Sequence, residues 1–168
     1  MKTLTPIAWF LLIIIALTGP TGCDDSDSGS PTEPGEPSPG PYTTRTATVT
    51  RIIDGDTIVV NSGEKVRYIG IDTPETGDCY YSEATMRNTD LVDHRVVTLE
   101  VCNASPTDQY GRTLAHVHVD GILVNAVLIR EGYARAISIP PCTSRSDDYR
   151  QMMDDAFADG AGMWSACY

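Results

Sequence analysis

Thr46-Ala47-Thr48-Val49-Thr50-Arg51-Ile52-Ile53, the corner Asp54-Gly55-Asp56 and then Thr57-Ile58-Val59-Val60 read as two strands around one tight turn. The first segment alternates and is rich in β-branched side chains, which pack well on a pleated surface. Asn61-Ser62-Gly63-Glu64 has the residues of a hairpin turn, so Lys65 to Ile71 is predicted to return as a third strand. Further on, Ser82 to His94 reads as a helix whose apolar face is Ala84, Leu91 and Val92. Val96 to Val101 and Leu114 to Val119 are two more strands, and Asn125 to Glu131 is a short helix stopped by Gly132. A last helix is predicted to start at Ser144, with Asp147 at the capping-box position, and to run to about Asp159. Five short strands interleaved with three helices define an α+β class, a small β-barrel with three packed helices.

The 168-residue chain is 41% hydrophobic and carries a formal net charge of −11. Five of the acids lie before residue 41, leaving 18 acids against 11 bases in the remainder. This balance excludes a broad basic face for holding nucleic acid, which normally needs an excess of Lys and Arg. Any phosphate handling has to rest on a few focused arginines or on a bound cation.

Residues 1–22 read as an export signal: Lys2, an apolar run from Pro6 to Leu17, then small residues up to Gly22. The run is short for a membrane span, which needs about 20 apolar residues. Thr21-Gly22-Cys23 resembles the lipobox of bacterial lipoproteins, with Pro20 where an aliphatic residue is usual. The resemblance implies a lipid on Cys23 and hence an exported chain anchored to a membrane. Residues 23–41, acidic and full of Ser, Pro and Gly, cannot bury enough surface to fold and suit a solvated tether. The folded domain is then 42–168. It retains Cys79, Cys102, Cys142 and Cys167, an even number in an exported domain, which predicts two disulfides with three possible connectivities. No C-x-x-C spacing supports a zinc site.

Charge concentrates in three loops at strand ends. These are Asp54-Gly55-Asp56-Thr57, then Arg67 with Asp72-Thr73-Pro74-Glu75-Thr76, then Asp108-Gln109-Tyr110-Gly111-Arg112. Together they offer hard oxygen ligands for a divalent cation, one further carboxylate and two guanidinium forks. Phosphodiester cleavage requires this set. A cation offsets phosphate charge, a carboxylate accepts the proton of water, and arginines follow the charge of the transition state.

With these motifs in order from Thr46 to Trp164, the chain resembles the staphylococcal nuclease (thermonuclease) family. Val124-Asn125, Gly132-Tyr133-Ala134 and Gly162-Met163-Trp164 extend the match. The resemblance implies a five-stranded OB-type barrel with three helices. It implies Ca2+ held by Asp56, Asp72 and the Thr73 carbonyl, with Glu75 as general base. Arg67 and Arg112 would clamp the phosphate, and Tyr110 would lie beside the nucleotide. The implied reaction is Ca2+-dependent endonucleolytic cleavage of DNA and RNA at the 5′ P–O bond, leaving 3′-phosphates, by a monomer. A non-catalytic, membrane-tethered nucleic-acid-binding module is the alternative on the same fold. The comparison also implies the disulfide pairs Cys102–Cys142 and Cys79–Cys167.

Two departures matter. Ala136-Ile137-Ser138-Ile139-Pro140-Pro141 stands where the family places stacking tyrosines, and the loop after Glu75 reaches Cys79 within four residues. Weaker substrate affinity is expected, because base stacking contributes about 1–3 kcal/mol per base. Other polar residues take structural readings. His116 and His118 share a strand face without an evident third ligand, and His94 suits a helix C-terminus. Trp164 is expected to dock the final helix. Asp54 either supports the cation site or shapes its corner.

Overall fold

The computed structural model describes residues 40–168. The export signal, Cys23 and nearly all of the tether lie outside the described residues. Among those described, no helix is long and apolar enough to cross a membrane.

Five strands close a barrel: β1 (Tyr42–Ile52), β2 (Thr57–Val60), β3 (Lys65–Tyr68), β5 (Val96–Cys102) and β6 (Thr113–Val119), in the order β3-β2-β1-β5-β6. A parallel pairing of β3 with β6 shuts the ring, setting Arg67 opposite Leu114. The remaining pairs of the ring are antiparallel. β1 serves two neighbours. Its first half pairs with β5 and its second half with β2, and the register shifts between Val49 and Arg51. Such a bulge bends a strand and lets it turn a barrel corner. Fully buried Val49, Ile58, Val66, Val97 and Leu99 belong to the core. The fold is the expected α+β barrel.

Three short strands complete the sheets. β4 (Ile71–Asp72) pairs with β8 (Arg135–Ala136), and β7 (Ile122–Leu123) adds to the edge of β6. The predicted third strand, Lys65 to Ile71, is therefore broken. Gly70, at φ 79°, turns the chain off β3, and a Cβ there would lie 2.7 Å from the buried Tyr149 ring.

Among the described residues four helices pack outside the barrel: α1 (Tyr81–Val92), α2 (Val124–Arg130), α3 (Ser146–Ala158) and the four-residue α4 (Met163–Ala166). Buried amides tie two of them to the barrel. The Tyr68 hydroxyl donates to Asn88 of α1, whose Nδ2 donates to the Asp54 carbonyl, both at 2.9 Å. On α2, Asn125 accepts from the Val117 amide and donates to the Ile69 carbonyl. Gly132 stops α2 as expected, at φ 74°.

The capping box at Ser144 and Asp147 does not form. The cap position is Arg145, with no side-chain capping bond, because the Ser144 hydroxyl instead contacts Tyr42 OH at 2.6 Å. His94 falls beyond the end of α1 in a left-handed conformation, and its exposed imidazole stands 3.8 Å from Asp93. Cys79 is bonded to Cys167 and Cys102 to Cys142.

The histidine pair is structural. His116 is buried, with Tyr149 OH 2.9 Å from Nδ1 and Tyr42 OH 3.3 Å from Nε2, while His118 faces Glu100 at 3.2 Å. Burial, aided by the nearby Arg145 charge, lowers the His116 pKa from 6.5 to about 4. The unfolded chain thus binds a proton at this site at higher pH than the folded one. The stabilisation is complete above pH 6.5 and lost as the pH falls toward 4, by roughly 3 kcal/mol. Urea unfolding at pH 7 and pH 4 should show a smaller acid loss in His116→Gln than in wild type; equal losses would refute this. The strand break is testable by the same method. Gly63→Ala, also at positive φ (84°) but with open space around it, should lose about 1–2 kcal/mol. Gly70→Ala should lose roughly 2–5 kcal/mol, since it adds a clash with a buried ring to the same backbone strain.

Candidate active site

The corner between β1 and β2 and the segment around β4 meet at Asp56. Gly55 permits that approach, since a Cβ there would lie 2.7 Å from Thr73 Oγ1. The Asp54 carboxylate accepts the Asp56 amide at 3.0 Å, so Asp54 shapes the corner. Asp56 itself is buried. Its Oδ2 accepts the Thr73 amide and hydroxyl at 3.0 and 3.1 Å, and its Oδ1 accepts the Thr57 hydroxyl at 3.0 Å.

Arg67, on β3, reaches the same point from the barrel wall. Its Nε stands 3.1 Å from Asp56 Oδ1, and its Nη2 donates to Asp72 Oδ1 at 2.9 Å. Nη1 donates to the Tyr68 and Ile71 carbonyls, both at 2.7 Å. The guanidinium is therefore a buried tie between two carboxylates and two strand ends, and one Nη2 N–H is left uncommitted. Burial pushes the Asp56 carboxyl up to about 6, against the pull of Arg67. A buried carboxylate shifted this way needs positive charge beside it.

Moving outward, the Asp72 side chain is 44% exposed, and Glu75 is exposed in a turn closed by Asp78. Asp78 Oδ2 accepts the Glu75 amide at 3.1 Å, and the Asp78 amide returns to the Glu75 carbonyl at 2.8 Å. Among the described residues the Glu75 carboxylate has no hydrogen-bond or ion partner.

Arg112 leads into β6, the strand beside β3. Asp108 fixes it, accepting the Arg112 amide at 2.9 Å and its Nε at 2.7 Å. Burial would raise the Asp108 carboxyl, but these bonds from Arg112 hold it below the usual carboxylate range. Both Nη groups of Arg112 lack partners among the described residues. Tyr110, exposed, lies beside the guanidinium with 5.4 Å from Cζ to ring centroid. Arg112 is thus the available fork, and Asp108, singled out in the sequence only as part of its loop, is the residue that aims it. The i,i+4 spacing of Asp108 and Arg112 carried that signal.

No group of three His, Cys, Asp or Glu side chains gathers among the described residues. The donors available to a cation are two carboxylates and a backbone carbonyl. They fit a hard divalent ion: all are oxygens, and two of them belong to carboxylates that already gather around one positive charge, Arg67. Thr73 is buried, yet its carbonyl accepts no hydrogen bond among the described residues.

The family described as staphylococcal nuclease homologue matches residues 65–166. The chain belongs to this family. Endonuclease YncB of Bacillus subtilis (strain 168) is 41% identical over 128 residues, covering 70% of this chain and 61% of the relative. The prophage-derived endonuclease YokF of the same organism is 38% identical over 128 residues, covering 70% of this chain and 43% of the relative. Thermonuclease of Staphylococcus intermedius is 38% identical over 117 residues, covering 64% of this chain and 67% of the relative. The chain thus spans 61% and 43% of the two Bacillus relatives.

The Asp56–Arg67 tie gives a stability prediction for this family member. Arg67→Met leaves a buried carboxylate unpaired and should cost about 3–5 kcal/mol in urea unfolding at pH 7. The Asp56→Asn, Arg67→Met double variant should cost clearly less than the sum of the single changes. Additive losses would mean that the contact carries no coupling.

Proposed function

We propose that this chain is a Ca2+-dependent nuclease, exported and held at a membrane by a lipid on Cys23, that cleaves DNA and RNA at the 5′ P–O bond. The carrying observation is the buried Asp56–Arg67–Asp72 tie, with the unpartnered carboxylate of Glu75 three residues past Asp72 and Arg112, its Nη groups unpartnered, leading into β6, the strand paired with β3. The nuclease names of the relatives support the same reading.

Asp56, Asp72 and the Thr73 carbonyl would hold the cation, which offsets phosphate charge and polarises a phosphoryl oxygen when bound. Arg112 binds two non-bridging oxygens of the scissile phosphate through its Nη groups, kept in place by Asp108. Glu75 accepts the proton of the attacking water at its carboxylate. Arg67 fixes both carboxylates and adds its positive charge to the site. As negative charge builds on the phosphoryl oxygens, the preset positive groups meet it without reorganising. The non-catalytic alternative does not need a free carboxylate beside a free guanidinium fork.

The test uses the full chain with DNA and with RNA, in Ca2+ and in chelator. Cleavage should require Ca2+ and leave 3′-phosphates. Glu75→Gln should lower kcat by about 10²–10⁴-fold, and Arg112→Ala by about 10²–10³-fold. A wild-type chain that cleaves neither polymer, or variants as active as wild type, would overturn the nuclease assignment.

A further inference from the structure

A second cleft lies next to this site and is not used by the chemistry above. It has a volume of about 330 Å³ and is lined by Pro74, Asp78, Cys79, Arg135, Met163, Cys167 and Tyr168. Pro74 lies between the cation-ligand candidate Thr73 and Glu75, and Asp78 closes the Glu75 turn. In the β4–β8 ladder Arg135 stands directly opposite Asp72. Residues opposed in an antiparallel pair project from the same face, so Arg135 and Asp72 share one surface.

The other wall is aromatic. Tyr168 stacks on Trp164 with centroids 5.5 Å apart and planes at 27°, and remains 71% exposed. The Arg135 guanidinium lies 5.9 Å from the Trp164 centroid and 5.8 Å from that of Tyr168, and contacts the Tyr168 hydroxyl. Arg135 has no carboxylate partner among the described residues. Arg51, Lys65 and Arg130 lack one as well, but Arg135 alone of these four lines the cleft. The Cys79–Cys167 bond fastens this aromatic wall to the Glu75 turn.

We infer that Arg135 and Tyr168 form a second nucleotide subsite, which takes a nucleotide flanking the scissile phosphate of a single-stranded substrate. The inference rests on the proposed nuclease reading. The exposed Tyr168 face stacks on an unpaired base, and Arg135 binds the adjoining phosphodiester. A base paired within a duplex cannot offer its face in this way, so the subsite favours single strands. It supplies, through Tyr168, aromatic contact that Ala136 to Pro141 lacks.

The test has a binding arm and a kinetic arm. Trp9 and Trp164 are the two tryptophans, so Trp9→Phe in the full chain leaves Trp164 as sole reporter. Titration with a single-stranded DNA octamer in chelator should change its fluorescence saturably. Arg135→Ala and Tyr168→Ala should each raise Kd about tenfold, with Tyr168→Phe close to wild type. In Ca2+, Tyr168→Ala should lower kcat/KM about tenfold on the octamer and leave it unchanged on a dinucleotide. Unchanged Kd values, or equal losses on octamer and dinucleotide, would overturn the subsite. A chain that binds with these responses but cleaves nothing would refute the nuclease reading and keep the subsite. Cleavage with no response at Tyr168 would do the reverse.

Discussion

The guanidinium of Arg67 is the constraint around which the site is arranged. A buried cation needs partners or its desolvation is uncompensated, and four groups from three places in the chain pair with it. Asp56 comes from the corner after β1, Asp72 from β4, and the Tyr68 and Ile71 carbonyls from either side of the Gly70 turn. Moving any one of them strands a charge or a carbonyl. The break in the third strand is therefore what makes the site possible. A strand continuing straight to Ile71 would keep those carbonyls in a ladder and carry Asp72 away from Asp56.

Burial is graded across the same groups. Asp56 and Arg67 are buried, Asp72 is half-exposed, and Glu75 and Tyr110 face solvent. The gradient separates two tasks that would conflict in one residue. Groups that set geometry are locked by packing, whereas groups that meet substrate keep unsatisfied donors or acceptors. Arg112 lies between these extremes: one edge is spent on Asp108 and the other is open. With an acidic domain around it, this local positive charge cannot be replaced by a diffuse basic field.

The sequence made the barrel legible because its signal is local. Alternation in β1, the Ser62-Gly63 turn and the apolar runs of β5 and β6 each lie within a few residues. The closing of β3 on β6 was not legible, being a parallel contact between segments almost fifty residues apart. Gly70 could not be distinguished from any strand glycine, since the ring that excludes a side chain there comes from Tyr149. The capping box failed for a related reason: Ser144 had a competing partner in Tyr42, and a local rule cannot see it. At the candidate site, motif order identified the residues to look at. It did not reveal that Arg67 is committed inward and Arg112 outward, because that division depends on burial.

The two arginines also imply a sequence of charge exchange. Where the donor set is without a cation, Arg67 supplies the positive charge that Asp56 and Asp72 require. A divalent ion drawing on the same oxygens competes with it, and relief of the Asp56–Arg67 contact frees donor capacity on Arg67. Nη1 stays committed to Tyr68 and Ile71, so the freed donor would be Nε. On the proposed reading, a cation and a phosphate would then both draw on one side chain. By linkage such a coupling would be reciprocal, an anion on Arg67 loosening its hold on the carboxylates and favouring a cation there.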